Sequence, residues 1–198
     1  MHRLYHREGA GRPRRARWAF EEAGAPYEWI VMDDATGHGE EHAQRHPLGR
    51  VPVLESDDGL LYESAALCLQ VADLNPDARL IPPLGTYERG RIYQWSFFAM
   101  TELEPAMIRA AQTRRRDDAD ATAKAEVRLA KAFAALDEAL AGNEYVTGSQ
   151  FTIADVIVGG VGMSARQYDV LPATANVNAY LERLDSRPAK RRAYDEQA

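Results

Sequence analysis

Val51-Pro52-Val53-Leu54-Glu55-Ser56-Asp57-Asp58-Gly59-Leu60-Leu61-Tyr62-Glu63-Ser64 is the stretch whose reading decides the fold. Residues 51–56 read as a strand, with Pro52 near its start, where a residue without an N–H is tolerated. Asp57-Asp58-Gly59 carries turn residues, and residues 60–62 form the return strand of a hairpin. Ser64 then stands where a capping hydroxyl opens a helix, and Leu67, Cys68, Val71 and Leu74 follow at helical spacing. A hairpin that feeds straight into a helix supplies half of an α/β layer.

The residues upstream supply the other half. HRLYH (2–6) predicts a strand, and Pro13 to Ala23 predicts a helix, with proline at its start and Gly24 as its stop. YEWIVM (27–32) predicts a second strand and His38 to Arg45 a short helix. The order is therefore βαβαββα over residues 1–76. Residues 77–87 form a linker rich in proline, and residues 88–198 predict helices only. These run over 88–112 (Ile92, Trp95, Phe98, Ala99 and Leu103 inward, Pro105 as a kink), 120–141, 152–166, 174–185 and 188–195. In the second of them Val127, Ala130, Phe133, Ala134 and Leu140 are expected inside. The fold class is an α/β unit followed by an all-α unit.

Composition limits the function classes. The 198 residues carry 24 Lys+Arg against 30 Asp+Glu, a net charge of −6, with 45% hydrophobic residues. That balance suits a globular protein and argues against general nucleic-acid binding. No apolar run approaches the ~18 residues of a membrane span, and the N-terminus lacks the apolar core of a signal peptide. A cytoplasmic protein is expected. Six arginines (Arg3, Arg7, Arg12, Arg14, Arg15 and Arg17) crowd the first seventeen residues against one acid, Glu8. They form either a solvated face or the surroundings of an anionic ligand.

Four local features carry chemistry. A cis bond at Val51-Pro52 would turn the Val51 amide and carbonyl outward to pair with an extended peptide. Glu63-Ser64 at a helix N-terminus reads either as a plain cap or as a receptor for an α-amino-acid end, the helix and the hydroxyl taking the carboxylate and Glu63 the ammonium. Phe151-Thr152-Ile153-Ala154-Asp155-Val156 is a structural capping box with its staple. His38, His42 and His46 recur every four residues beside Glu41, but the short helix between Gly37 and Pro47 points to no metal site. The lone Cys68 reads as a buried small hydrophobe.

Together, His46-Pro47-Leu48-Gly49-Arg50-Val51-Pro52-Val53-Leu54, Tyr62-Glu63-Ser64 and Phe151-Thr152-Ile153-Ala154-Asp155 resemble the cytosolic glutathione S-transferases, and the resemblance covers nearly the whole chain. It implies a thioredoxin-like N-terminal domain, a homodimer and glutathione as co-substrate, with no metal. It assigns glutathione to Arg50, Val51, Pro52, Glu63, Ser64 and His38, with His42 as an alternative to His38 for the glycyl carboxylate. A small hydrophobic electrophile would meet Arg7, Phe97, Met100, Thr101 and Glu104. His46 replaces the usual asparagine before Pro47, which bears on loop capping.

The match weakens at the catalytic group. The family places a Tyr, Ser or Cys just after the first strand, whereas this chain has Ala10 and Gly11 there. Three replacements remain: backbone amides at the start of the first helix around Gly11, the charge of Arg12 or Arg14, or a hydrogen bond from Tyr5 or His6. A transferase adding the glutathione thiolate to an electrophile is expected. The alternatives are a non-catalytic glutathione-binding or regulatory member, or a glutathione-dependent peroxidase or reductase.

Overall fold

The computed structural model describes residues 1–32, 40–116 and 118–194. Its first unit opens with β1 (Arg3–His6), α1 (Gly11–Ala23) and β2 (Glu28–Val31), then α2 (Glu40–Arg45), the hairpin β3 (Val53–Ser56) and β4 (Gly59–Tyr62), and α3 (Ser64–Leu74). The sheet order is β2-β1-β3-β4. β1 and β2 are parallel, which requires the crossover helix α1 between them. β1–β3 and β3–β4 are antiparallel, as a hairpin demands. Gly59 at φ 127° makes the turn that Asp57-Asp58-Gly59 announced.

Successive side chains of a strand point to opposite faces, and β1 buries both. Leu4 is fully buried, and its neighbour Tyr5 joins Met32 and Val53, flanked by Ile30 and Val51. α1 buries Ala16, Trp18, Ala19 and Phe20 and ends at Gly24, whose φ of 63° fits the left-handed cap that stops a helix.

The domain limits differ from the sequence expectation. The first unit runs from Met1 to Ile81 and takes back the C-terminal segment from Pro188, while the second spans Pro82–Arg187. The last helix, α9 (Pro188–Tyr194), therefore belongs with α1 and not with the helical unit. Its Ala189 and Ala193 are buried, Tyr194 meets Trp18 edge-on at 6.1 Å, and Arg192 Nε donates to Glu21 Oε2 at 2.6 Å. Small residues on one face and an ion pair at the rim decide its placement. Neither signal distinguishes, in sequence, one packing partner from another.

The second unit holds α4 (Tyr87–Phe98), a π-helical turn (Ala99–Leu103), α5 (Glu104–Arg115), α6 (Ala119–Leu140), α7 (Ile153–Gln167) and α8 (Ala175–Asp185). Where the sequence predicted a kink at Pro105, the chain inserts the π turn immediately ahead of it. Proline offers no N–H to the preceding turn, and the wider turn absorbs that lost bond. α7 is buried almost all round, the pattern of a central helix. α6 faces inward with Ala125, Leu129, Ala132, Phe133, Leu136 and Leu140. The expected Phe133 and Leu140 are there, but Val127 is 72% exposed and Ala130 and Ala134 are also outside. In a helix this rich in alanine, two adjacent stripes carry nearly equal hydrophobicity.

The Thr152–Asp155 capping box is formed. Asp155 is completely buried, and its carboxylate accepts four bonds: Thr152 N–H at 2.8 Å, the Thr152 hydroxyl at 3.1 Å, Val146 N–H at 2.9 Å and the Tyr180 hydroxyl at 3.0 Å. The motif thus ties three chain segments together, which exceeds the local cap expected from its sequence.

Candidate glutathione site

The candidate glutathione residues on β1, α1, the hairpin and α3 all lie in the first unit. The Val51-Pro52 bond is cis. Strand pairing begins at Val53 on both sides of β3, so no described strand pairs with Val51. Three bonds pin the loop leading to it. Arg7 Nη2 donates to the Gly49 carbonyl at 2.9 Å, His42 Nε2 meets the Arg50 carbonyl at 3.0 Å, and His46 Nδ1 accepts the Leu48 N–H at 3.0 Å. His46 does cap the loop, as its replacement of asparagine suggested. His42 and His46 are buried, and burial lowers the proton affinity of both imidazoles. Neutral rings suit these loop bonds.

Two expectations change here. His42 is fully buried and spent on Arg50, so it holds the loop and does not reach a ligand carboxylate. Arg7, expected in the electrophile pocket, clamps Gly49 from the end of β1. His38 lies outside the described residues. Arg50 itself is exposed, and its carbonyl meets His42.

Glu63, not Ser64, stands at the N-cap position of α3, and it makes no side-chain cap bond. Glu63 is the residue before the helix, with φ 72°, and α3 begins at Ser64. A glutamate in the left-handed region is uncommon and marks a position over-determined by its surroundings. Its side chain is exposed, and its carbonyl accepts Leu67 N–H at 3.0 Å. Ser64 is 3% exposed and makes no cap bond; its Oγ accepts from Arg15 Nη1 at 3.1 Å. Arg15, at 1% exposure on α1, is a candidate site residue that the sequence did not single out among the six early arginines. A serine oxygen that accepts from a guanidinium keeps its own proton to donate. The first-turn amides of α3, the Ser64 hydroxyl and the nearby positive charge together suit a carboxylate.

The catalytic candidates are spread over β1 and the start of α1. Tyr5 donates its hydroxyl to Glu55 Oε2 at 2.6 Å, and the Arg45 guanidinium lies 4.6 Å from its ring centre. Burial, and then that bond, raise the phenol's pKa, and the hydroxyl's single proton is committed to Glu55. The Tyr5 alternative is therefore set aside. α1 starts at Gly11 after Ala10, which gives no side-chain cap, and its first turn holds no acid. Gly11 and Arg12 amides head the helix, where intrahelical acceptors are lacking. Arg12 is half-buried.

Phe97, Met100, Thr101 and Glu104 belong to the second unit. Phe97 is 65% exposed on α4, Met100 and Thr101 lie in the π turn, and Glu104 is buried at the start of α5. The Thr101 hydroxyl turns back to the Phe97 carbonyl at 3.0 Å. Cys68 is fully buried, its thiol donating toward the Arg15 carbonyl at 3.6 Å, and burial pushes its pKa up to about 12. It is inert as a nucleophile.

Comparison with known proteins agrees with this geometry. The profile of the glutathione S-transferase N-terminal domain matches residues 2–73, and that of the C-terminal domain matches residues 119–183. A glutathione S-transferase of Hypomyces subiculosus, hmp2, is 32% identical over 146 residues, covering 66% of this chain and 68% of that one. The structure of a sphingomonad glutathione S-transferase complexed with glutathione superposes with a TM-score of 0.84 at 29% identity, over 96% of each chain. Elongation factor 1-gamma of Artemia salina is 34% identical over 116 residues, 57% of this chain but only 26% of that longer protein. With both domain profiles in order along one chain, this protein belongs to the glutathione S-transferase family.

Proposed function

We propose that the protein adds the thiolate of glutathione to a small hydrophobic electrophile. The observation that carries this reading is the buried Ser64 hydroxyl, held by Arg15 at the head of α3. The γ-glutamyl carboxylate takes the Ser64 proton and the first amides of α3, and the exposed Glu63 carboxylate holds the ammonium group. Val51, beyond the strand ladder and next to Pro52, pairs its amide and carbonyl with the cysteinyl backbone, and Arg50 adds charge along the same edge.

A free thiol with pKa near 8.5 is a few per cent ionised at neutral pH, so a transferase must favour the thiolate. In this chain the amides of Gly11 and Arg12 do so, with the Arg12 charge and the dipole of α1 behind them. The sulfur lone pair forms the new S–C bond, and the departing group leaves with its bonding pair. Family membership supports this activity, and a homodimer working in the cytoplasm fits the same membership.

A second reading rests on Ala10 and Gly11, which offer neither hydroxyl nor thiol, and on the likeness to a protein named as an elongation factor. It makes the chain a glutathione-binding module without turnover. Retention on immobilised glutathione followed by an assay with an aromatic halide separates the two. The transferase reading expects retention and turnover. Retention alone supports the module, and a folded protein that is not retained overturns both.

A further inference from the structure

His46 stands where two parts of the candidate glutathione site meet. It closes the turn that leads to Val51: its carbonyl accepts Gly49 N–H at 2.9 Å, and its ring Nδ1 accepts Leu48 N–H at 3.0 Å. Its own N–H donates to the His42 carbonyl at 3.0 Å. The same ring packs on Tyr62, the residue before Glu63, with ring centres 4.7 Å apart. At 3% exposure the imidazole joins the turn to the end of β4 in a space that excludes water.

The two histidines of this loop differ in what their bonds require. A carbonyl only accepts, so His42 Nε2 donates to the Arg50 carbonyl, and an imidazolium would donate there equally well. His42 Nδ1 is buried without a partner, so a proton placed on it would go unsatisfied. His46 is the opposite case. Its Nδ1 must offer a lone pair to an N–H, and a proton on that nitrogen sets two donors against each other. The Leu48 N–H is then stranded, and the turn before Val51 loses its cap.

Charge acts in the same sense. The charged and titratable groups that bear on His46 are Glu63 after β4, Arg50 in the loop and His42 on α2. Burial keeps the proton off the ring and Arg50 adds to that, while the Glu63 carboxylate works against both. A ligand ammonium group on Glu63 withdraws that support and brings a further positive charge close. The ligand's γ-glutamyl carboxylate lies at Ser64, where Arg15 answers it.

We propose that His46 is a positioning residue that makes glutathione capture depend on pH: its neutral ring holds the turn at Val51 beside Glu63, and its protonation releases the ligand. This control rests on the glutathione reading above and adds a proton to it. Binding and protonation exclude each other, so each protonated ring that takes up ligand expels its Nδ1 proton to solvent. Asparagine in place of His46 offers an amide oxygen to the same N–H and does not titrate.

The probe is S-methylglutathione, whose thioether carries no thiol proton, titrated by calorimetry into the full chain at about pH 7.5 and about pH 5.5. The expected result is about threefold weaker binding at the lower pH, with proton release read from the dependence of the heat on the buffer's ionisation enthalpy. In His46→Asn the two affinities converge and the proton release disappears. Equal binding at both pH values by the unaltered protein overturns the proposal and leaves the glutathione reading standing, as does an undiminished pH dependence in His46→Asn. A folded protein that binds the probe at neither pH overturns both. If His46→Asn fails to fold, the His46 ring resonances of the unaltered protein decide. A lower ring pKa with the probe bound supports the proposal, and an unmoved one overturns it.

Discussion

Ser64 and Arg15 meet at 3.1 Å in a place that excludes water, and each depends on the other. Removing the hydroxyl in Ser64→Ala leaves α3 without a change of cap, because Ser64 caps nothing. The expected outcome is about tenfold weaker glutathione binding by calorimetry with a nearly unchanged urea midpoint. Arg15→Met goes further: it removes the guanidinium, weakens glutathione binding and costs about 1–3 kcal/mol in urea unfolding, since a buried polar partner is stranded. Normal binding in both variants would assign the pair to structure alone. Ser64 was legible in sequence as a candidate because a hydroxyl at a helix start is a local signal. Arg15 was not, because burial of one arginine among six is decided by the packing of α1 on α3 and leaves no mark on the sequence.

At the scale of elements, hairpin and crossover were readable because turn residues and apolar runs bound them within a few positions. The face of α6 was misread where alanine blurs the period, and α9 was assigned to the wrong unit because a short helix with two buried alanines fits either. The α7 start shows how a local motif gains weight in the fold. Asp155 accepts from Thr152, Val146 and Tyr180, so one carboxylate joins the helix, the preceding loop and α8. Asp155→Asn presents an NH₂ to some of those donors. The expected loss is about 3 kcal/mol in urea unfolding, against ~1 kcal/mol for an ordinary cap. A loss within the range of a simple cap would mean that the Val146 and Tyr180 bonds contribute little.

Across the whole molecule, acid acts on the two units with opposite sign. His6, His42 and His46 all belong to the first unit, and burial lowers each imidazole's pKa. Below about pH 6.5 the unfolded chain binds protons that the folded unit refuses, so its stability is full above that pH and falls below it. Asp155 lies in the second unit, where burial lifts its carboxyl to about 6. Between about pH 4 and that value the folded unit binds the extra proton, and the same acidification stabilises it. Hydrogen exchange at pH 7 and pH 5 should show β1 and β3 amides losing protection while α7 amides hold or gain it. Uniform loss in both units would contradict this division.

The same N-terminal unit holds the proposed catalytic group: with no hydroxyl or thiol at Ala10 or Gly11, the proposed transferase would favour the thiolate through the amides that open α1. The thiolate absorbs in the ultraviolet, so difference spectra of protein with saturating glutathione, recorded across pH, give the pKa of the bound thiol. The account predicts a value at least one unit below the free thiol's ~8.5. Glutathione bound with its thiol pKa unmoved would contradict it.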